Sequence, residues 1–202
     1  MGCLFPLLAA VLLAPPFWEV KTPRQWTDEE LRWMFAESPW VQPAIATRGI
    51  EGIPVYLATA KPMREAEAER RRRDPFQARA PLDGEPEEQA DTQYEEYIGL
   101  LHENEGKIIA LAVPMPAATI SEEEIRQIEQ RSSLRAGGKR YRILGHFAPS
   151  RRDPYLRLIF PRVSGAGEKS LRFDLYLPFV DWPLRQLSFP LKDLVYHGQP
   201  EF

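Results

Sequence analysis

The strongest constraint on this chain is an alternation of period two near its C-terminal end. Leu171, Phe173, Leu175, Leu177 and Phe179 are interleaved with Arg172, Asp174, Tyr176 and Pro178. Leu187, Phe189 and Leu191 repeat the pattern, with Gln186, Ser188 and Pro190 between them. Successive side chains of a strand point to opposite faces, so each segment reads as a strand with one buried and one solvated face. That is the mark of an antiparallel sheet. Arg140–Phe147 and Tyr155–Pro161 are further candidate strands, with turns at Val163–Lys169 and Asp181–Pro183. Twenty prolines are spread through the 202 residues, which shortens helices and argues against a helical bundle. The length suits one domain.

Two helices announce themselves by their caps. Thr27 with Glu30, and Ser121 with Glu124, are capping boxes in which each side chain satisfies an orphan backbone N–H of the other residue. They predict helices at Asp28–Glu37 and Ser121–Arg131, the second stopped by Gly137-Gly138. Leu31, Met34 and Phe35 form the apolar stripe of the first. Met63–Arg73 reads as a polar surface helix without an apolar face, laced by Glu67–Arg71 and Glu69–Arg73 pairs. Ile53–Ala60 reads as a strand; Tyr94–His102 and Lys107–Val113 read as a hairpin turning at Gly106. The expected fold class is α+β, mostly β: an antiparallel sheet or β-sandwich with two or three short peripheral helices. Residues 18–44 form an N-terminal Trp-rich helical segment and residues 45–202 a β-rich domain. Within it, the charged, aperiodic stretch 74–93 reads as a mobile loop.

The start of the chain points to export. Its first seventeen residues carry no charge, and Leu4–Ala14 is an apolar run too short to span a bilayer. It has the length of a signal-peptide core, so residues 1–17 are expected to be removed, although Pro15-Pro16 makes a poor cleavage site. Cys3 precedes the apolar run, unlike a lipoprotein cysteine, and Pro6 spoils a myristoylation signal. The remaining chain has no cysteine and no apolar stretch that would span a membrane. A periplasmic or secreted location follows as the expectation.

Three segments carry a resemblance. Trp26-Thr27-Asp28-Glu29-Glu30 leading to Ser38-Pro39-Trp40, then Phe160-Pro161-Arg162, then the tail from Phe189 to Gly198, resemble in order uncharacterised secreted proteins of acidobacteria. The tail is also similar to the ends of GWxTD-motif proteins, though the GWxTD string is missing here. The resemblance implies export and a β-rich fold, and no particular chemistry.

Signatures of catalysis are sparse. His102, His146 and His197 have no cysteine or histidine at ligand spacing, so no metal and no cofactor is expected. No Gly-x-Ser-x-Gly elbow occurs, and the glycine-rich Ser164–Gly167 is not followed by a helix that could hold an anion. The carboxylates of Glu95, Glu96, Glu103, Glu105 and Glu122–Glu124 read as solvated strand, turn and helix-start residues. A net charge of −3 lacks the cation surplus of a nucleic-acid binder, and the arginines at 70–73 face their own glutamates. Arg151, Arg152 and Arg162 have the forked donors to grip a phosphate or carboxylate. Trp18, Trp26, Trp33 and Trp40 recur every seven or eight residues, and Trp33 falls opposite the apolar stripe, among Glu29, Glu30 and Glu37. Trp33, Trp18, Arg151 and Arg152 are therefore the candidate partner-binding residues. The function expected is a non-enzymatic binding or structural module for an envelope protein or envelope component. The alternative is a hydrolase using dispersed carboxylates and histidines.

Overall fold

The computed structural model describes residues 15–44, 52–74, 92–115, 120–150, 153–163, 168–179 and 183–202. The apolar run Leu4–Ala14, residues 75–91 of the expected loop, Arg151, Arg152, Ser164–Gly167 and Asp181-Trp182 lie outside them. Among the described residues the helices are α1 (Phe17–Val20), α2 (Asp28–Ala36), α3 (Lys61–Arg73), α4 (Thr92–Glu103) and α5 (Glu122–Arg131). The strands are β1 (Val41–Ala44), β2 (Ile53–Leu57), β3 (Ile108–Pro114), β4 (Ser133–Ala136), β5 (Lys139–Arg142), β6 (Gly145–Phe147), β7 (Tyr155–Pro161), β8 (Ser170–Tyr176), β9 (Leu184–Pro190), β10 (Val195–Tyr196) and β11 (Gln199–Pro200). They pair in three antiparallel sheets, ordered β1-β2-β3-β7-β6, β5-β4-β8-β9 and β10-β11. The fold is sheet-rich α+β, as the alternation requires.

The central strands β3 and β7 of the five-stranded sheet are buried on both faces, which explains why β3 is apolar throughout rather than alternating. One face meets the four-stranded sheet, where Phe160 of β7 packs edge-on against Phe173 of β8, and Phe173 against Phe189 of β9. On the opposite face, one cross-strand row runs Val41, Tyr56, Ala112, Arg157 and Phe147. Glu67 of α3 and Tyr97 of α4 meet this row, at Tyr56 and Phe147 respectively. The outer face of the four-stranded sheet carries α5 at its Tyr176 end, where Arg131 lies 3.7 Å from the ring centroid.

Both capping boxes form, with Glu30 N–H and Glu124 N–H donating to Thr27 and Ser121 and the reciprocal bonds in place. Other expectations need correction. Tyr94–His102 is helix α4, not a strand: Tyr97 and Leu101 stand four apart and are both buried, a helical spacing that its aromatic, β-branched composition disguised. Thr92 and Gln93 belong to that helix rather than to a loop. Gly106 keeps its positive φ of 73°, but it joins a helix to a strand. Gly137-Gly138 closes the β4–β5 hairpin instead of stopping a helix, both glycines having positive φ as a tight two-residue turn demands. Arg140–Phe147 splits into β5 and β6, in different sheets. The N-terminal segment packs onto the β-rich part of the chain: β1 pairs with β2, and Trp40 is fully buried with its indole N–H donating to the Glu201 carbonyl.

Candidate functional site

Three clusters hold the chemistry-bearing side chains, and the first is the aromatic N-terminus. Trp18 and Trp33 stack nearly parallel, with ring centroids 5.0 Å apart, and Phe17 meets Trp18, Trp26 and Trp33 edge-on. Trp18 is buried and Trp33 half-buried, so α1 covers part of the Trp33 surface and leaves the rest open. Four residues of helix placed before Thr27 suffice to do this, and no periodicity marks so short a piece. Phe35 is half-buried too, held between the Tyr56 ring and the Arg70 guanidinium. Trp18 and Trp33 are thus packing residues first.

The second cluster is a buried ion network under α3, where a solvated helix face was expected. Arg157 is fully buried and donates to both carboxylate oxygens of Asp153, at 2.7 and 3.0 Å, and to Glu67 at 2.9 Å. Glu67, 1% exposed, also accepts from the Tyr56 hydroxyl at 2.6 Å, while Arg71 pairs with Asp153 at 3.1 Å. The helix therefore sends Glu67 and Arg71 inward to partners on and beside β7, and only the Glu69–Arg73 pair forms within the helix as expected, at 2.7 Å. Ala112, beside both Tyr56 and Arg157 in the cross-strand row, is small enough to leave the guanidinium room. Burial opposes the Arg157 charge, yet Glu67, Tyr97 and Asp153 hold it well above the ordinary guanidinium range. Burial pushes the Tyr56 and Tyr97 hydroxyls up, and Tyr94 up to about 12. The guanidinium stays charged and the three phenols stay neutral, which suits a structural lock rather than acid–base work. Sequence reading missed the Glu67–Arg157 pair, since the two lie 90 positions apart. The network also puts Asp153, the neighbour of Arg151 and Arg152, in the interior.

The third cluster lies on the solvated face of the four-stranded sheet. Register sets Arg140 of β5, Arg135 of β4 and Arg172 of β8 directly opposite one another in a single row. Ser188 of β9 extends the row, and Arg142 stands in the next one, opposite Ser133. Neighbouring strands are ~4.8 Å apart, so the three arginines span ~10 Å along a straight line. Arg140, Arg142 and Arg172 are exposed. Asp174 accepts from Arg135 at 2.5 Å and lies 3.4 Å from Arg140, so it is shared by two of these arginines, while Arg142 and Arg172 have no carboxylate partner among the described residues. Like charges placed directly across a sheet destabilise it. The net charge of the chain is −3, yet these four arginines stand together on one sheet face. The clean alternation of β8 put Arg172 on this face; only the register could align it with Arg135 and Arg140.

Two histidines have acidic partners. His146 Nδ1 lies 2.6 Å from Glu129, and His197 Nδ1 lies 3.3 Å from Glu19. These pairs sit on different elements, and among the described residues neither imidazole engages a hydroxyl nucleophile. Among the described residues no helix is long and apolar enough to cross a membrane. The chain matches no family model, no curated protein and no solved structure. The molecule is thus defined by its architecture: a sheet-rich α+β protein with a buried ionic lock and a cationic sheet face.

Proposed function

We propose that this is an exported protein of the bacterial envelope, periplasmic or secreted, which binds a linear anionic envelope polymer without chemically altering it. The observation that carries the reading is the row of Arg140, Arg135 and Arg172, with Arg142 in the next row, on the solvated sheet face. Arginine forks match carboxylate and phosphate geometry in pairs, and a straight row suits an extended chain bearing one charge per unit. The two sheets then act as a sandwich-like scaffold whose inner faces supply stability and whose outer face supplies the contact. The uncharged N-terminal run and the resemblance to secreted acidobacterial proteins support export. The ionic lock favours a binding module over the hydrolase, because its ionisable groups neutralise one another inside the core.

Heparin, a linear anionic polysaccharide, serves as the probe. The protein should be retained on a heparin column in low salt, and the doubly substituted Arg140→Glu, Arg172→Glu protein should flow through. Equal elution of the two, or retention on anionic phospholipid vesicles or single-stranded DNA but not on heparin, would reject the reading. Export is tested separately, by cell fractionation and mass spectrometry: an intact Met1 on a cytosolic protein contradicts it.

A further inference from the structure

A cleft of about 270 Å³ opens between the start of α3, the α4–β3 turn and the segment that follows β11. Its charged walls are Arg64 of α3, Glu105 in the turn, Arg162 just after β7 and Glu201 just after β11. We infer that this cleft binds a free α-amino acid, its carboxylate on Arg64 and Arg162 and its ammonium on Glu201 and Glu105.

The two arginines are under-used where they stand. Arg64 has a buried Nε–H with no hydrogen-bond partner, and its head group lies 3.9 Å from Glu105, too far for a direct bond. The terminal nitrogens of the Arg64 guanidinium, on a side chain 37% exposed, make no direct hydrogen bond among the described residues and are the donors a carboxylate in the cleft can reach. Arg162 lies 4.2 Å from the Phe202 ring centroid, and no carboxylate among the described residues is within ion-pair distance of it. Stacking holds a guanidinium flat while leaving its N–H edge free, the arrangement that receives a carboxylate. Its backbone is pinned as well, Arg162 N–H donating to the Lys107 carbonyl at 2.8 Å.

On the opposite wall Glu201 is fixed. Glu201 donates its N–H to the Leu194 carbonyl at 2.9 Å and accepts from the Trp40 indole through its own carbonyl. One carboxylate oxygen takes the Lys61 N–H at 3.1 Å, capping α3 and leaving the other oxygen available. Glu105, 77% exposed, is the adjustable member and can turn from Arg64 toward an ammonium. Asn104 at the rim has one amide hydrogen committed to the Leu100 carbonyl, with its oxygen unused in the bonds described.

Charge balance selects the ligand class. Two guanidiniums face two carboxylates, so a simple anion meets Glu105 and Glu201, while a simple cation meets Arg64 and Arg162. A molecule with both charges on neighbouring groups satisfies all four. The volume falls just below the ~300–1,000 Å³ range of pockets for drug-sized ligands, which fits a single amino acid. Arg162 is also one of the three arginines whose forked donors suit a phosphate or carboxylate, and it stands in this cleft's wall. The cleft shares no residue with the cationic sheet face, so the two sites are independent in their side chains.

The test is calorimetric titration of the full chain with glycine, L-alanine, L-glutamate and L-lysine, alongside acetate and methylammonium. At least one amino acid should bind, and bind at least about tenfold more tightly than either single-charge control, a difference of about 1.4 kcal/mol. Arg162→Met should abolish binding while the protein keeps its wild-type circular dichroism and melting profile. Glu201→Gln, which still accepts the Lys61 N–H, should lower amino-acid affinity and leave acetate binding unchanged or improved. Absence of binding by all four amino acids, or acetate binding as tightly as the best of them, would overturn the assignment. The wild-type ligand comparison stands even where a variant fails to fold.

Discussion

Replacing Glu67 with methionine separates an ionic lock from ordinary core packing. Methionine fills nearly the same volume, so the lost packing is small. The lost charge is not, because Arg157 at 2.9 Å and the Tyr56 hydroxyl at 2.6 Å both lose their acceptor in a place water does not reach. Removing one partner of a buried pair costs about 3–5 kcal/mol. Arg157 retains Asp153, which places the expected loss toward the lower end of that range. For a protein of this size, about 3 kcal/mol corresponds to a fall in melting temperature of roughly 6–12 °C. Urea unfolding followed by tryptophan fluorescence measures it, as a lower midpoint at unchanged slope. Adding Arg157→Met to Glu67→Met should recover part of the loss, since the unpaired cation goes with it, and the residual deficit reports Asp153 left to Arg71 alone. A Glu67→Met protein within about 1 kcal/mol of wild type would refute the lock and leave the α3 carboxylates as free functional groups.

Two further outcomes follow from the packing and the charges. Trp33→Ala should cost about 2–3 kcal/mol in the same unfolding assay, below the ~3–5 of a fully buried aromatic, because Trp33 is half-buried but stacked on Trp18; a loss under about 1 kcal/mol would mean that the stack does not form in solution. Glu69 is bonded to Arg72 and Arg73, the Arg72 bond contributing most, and its pKa is lowered from 4.5 to about 2. A depressed folded-state pKa gives stability that is present above the unfolded value and lost as pH falls from about 4.5 through 2. Glu69→Gln should therefore flatten the stability profile across that window, and an unaltered profile would show the Arg72 and Arg73 contacts to be absent in solution.

What the sequence revealed follows from how local each signal is. A capping box needs four consecutive residues, and both Thr27–Glu30 and Ser121–Glu124 form as read. The alternation of β8 put Leu171, Phe173 and Leu175 inside and Arg172 outside. It failed at Asp174 and Tyr176, outer-face residues by parity that α5 and neighbouring arginines nevertheless bury. Helix α4 was misread because Tyr94, Tyr97 and Ile98 favour strands, while the burial of Tyr97 and Leu101 is a tertiary fact. Helix α3 looked fully solvated because its glutamates and arginines can pair with one another at i, i+4 and leave no apolar stripe; Glu67 finds Arg157 only once β7 lies beneath it. The site residues divide in the same way. Arg162 stood out by type, but its pairing with Arg64 across a cleft, and the alignment of Arg140 with Arg135 and Arg172, depend on strand order and register that no local pattern encodes.

The salt dependence of polyanion binding tests the role of the arginine face most directly. Each neutralised charge on a linear polyanion releases counterion, so log affinity falls with log salt in proportion to the number of cations engaged, by about 0.7 per charge on a single-stranded polymer. Three arginines in contact should give a slope of about −2 for wild type binding to a heparin oligosaccharide, measured by fluorescence titration at several salt concentrations. Arg172→Ala should reduce that slope by about one charge's worth, while Lys192→Ala, at an unrelated position, should leave it alone. A slope near zero, or one that Arg172→Ala does not change, would contradict the assignment of this sheet face as the binding surface.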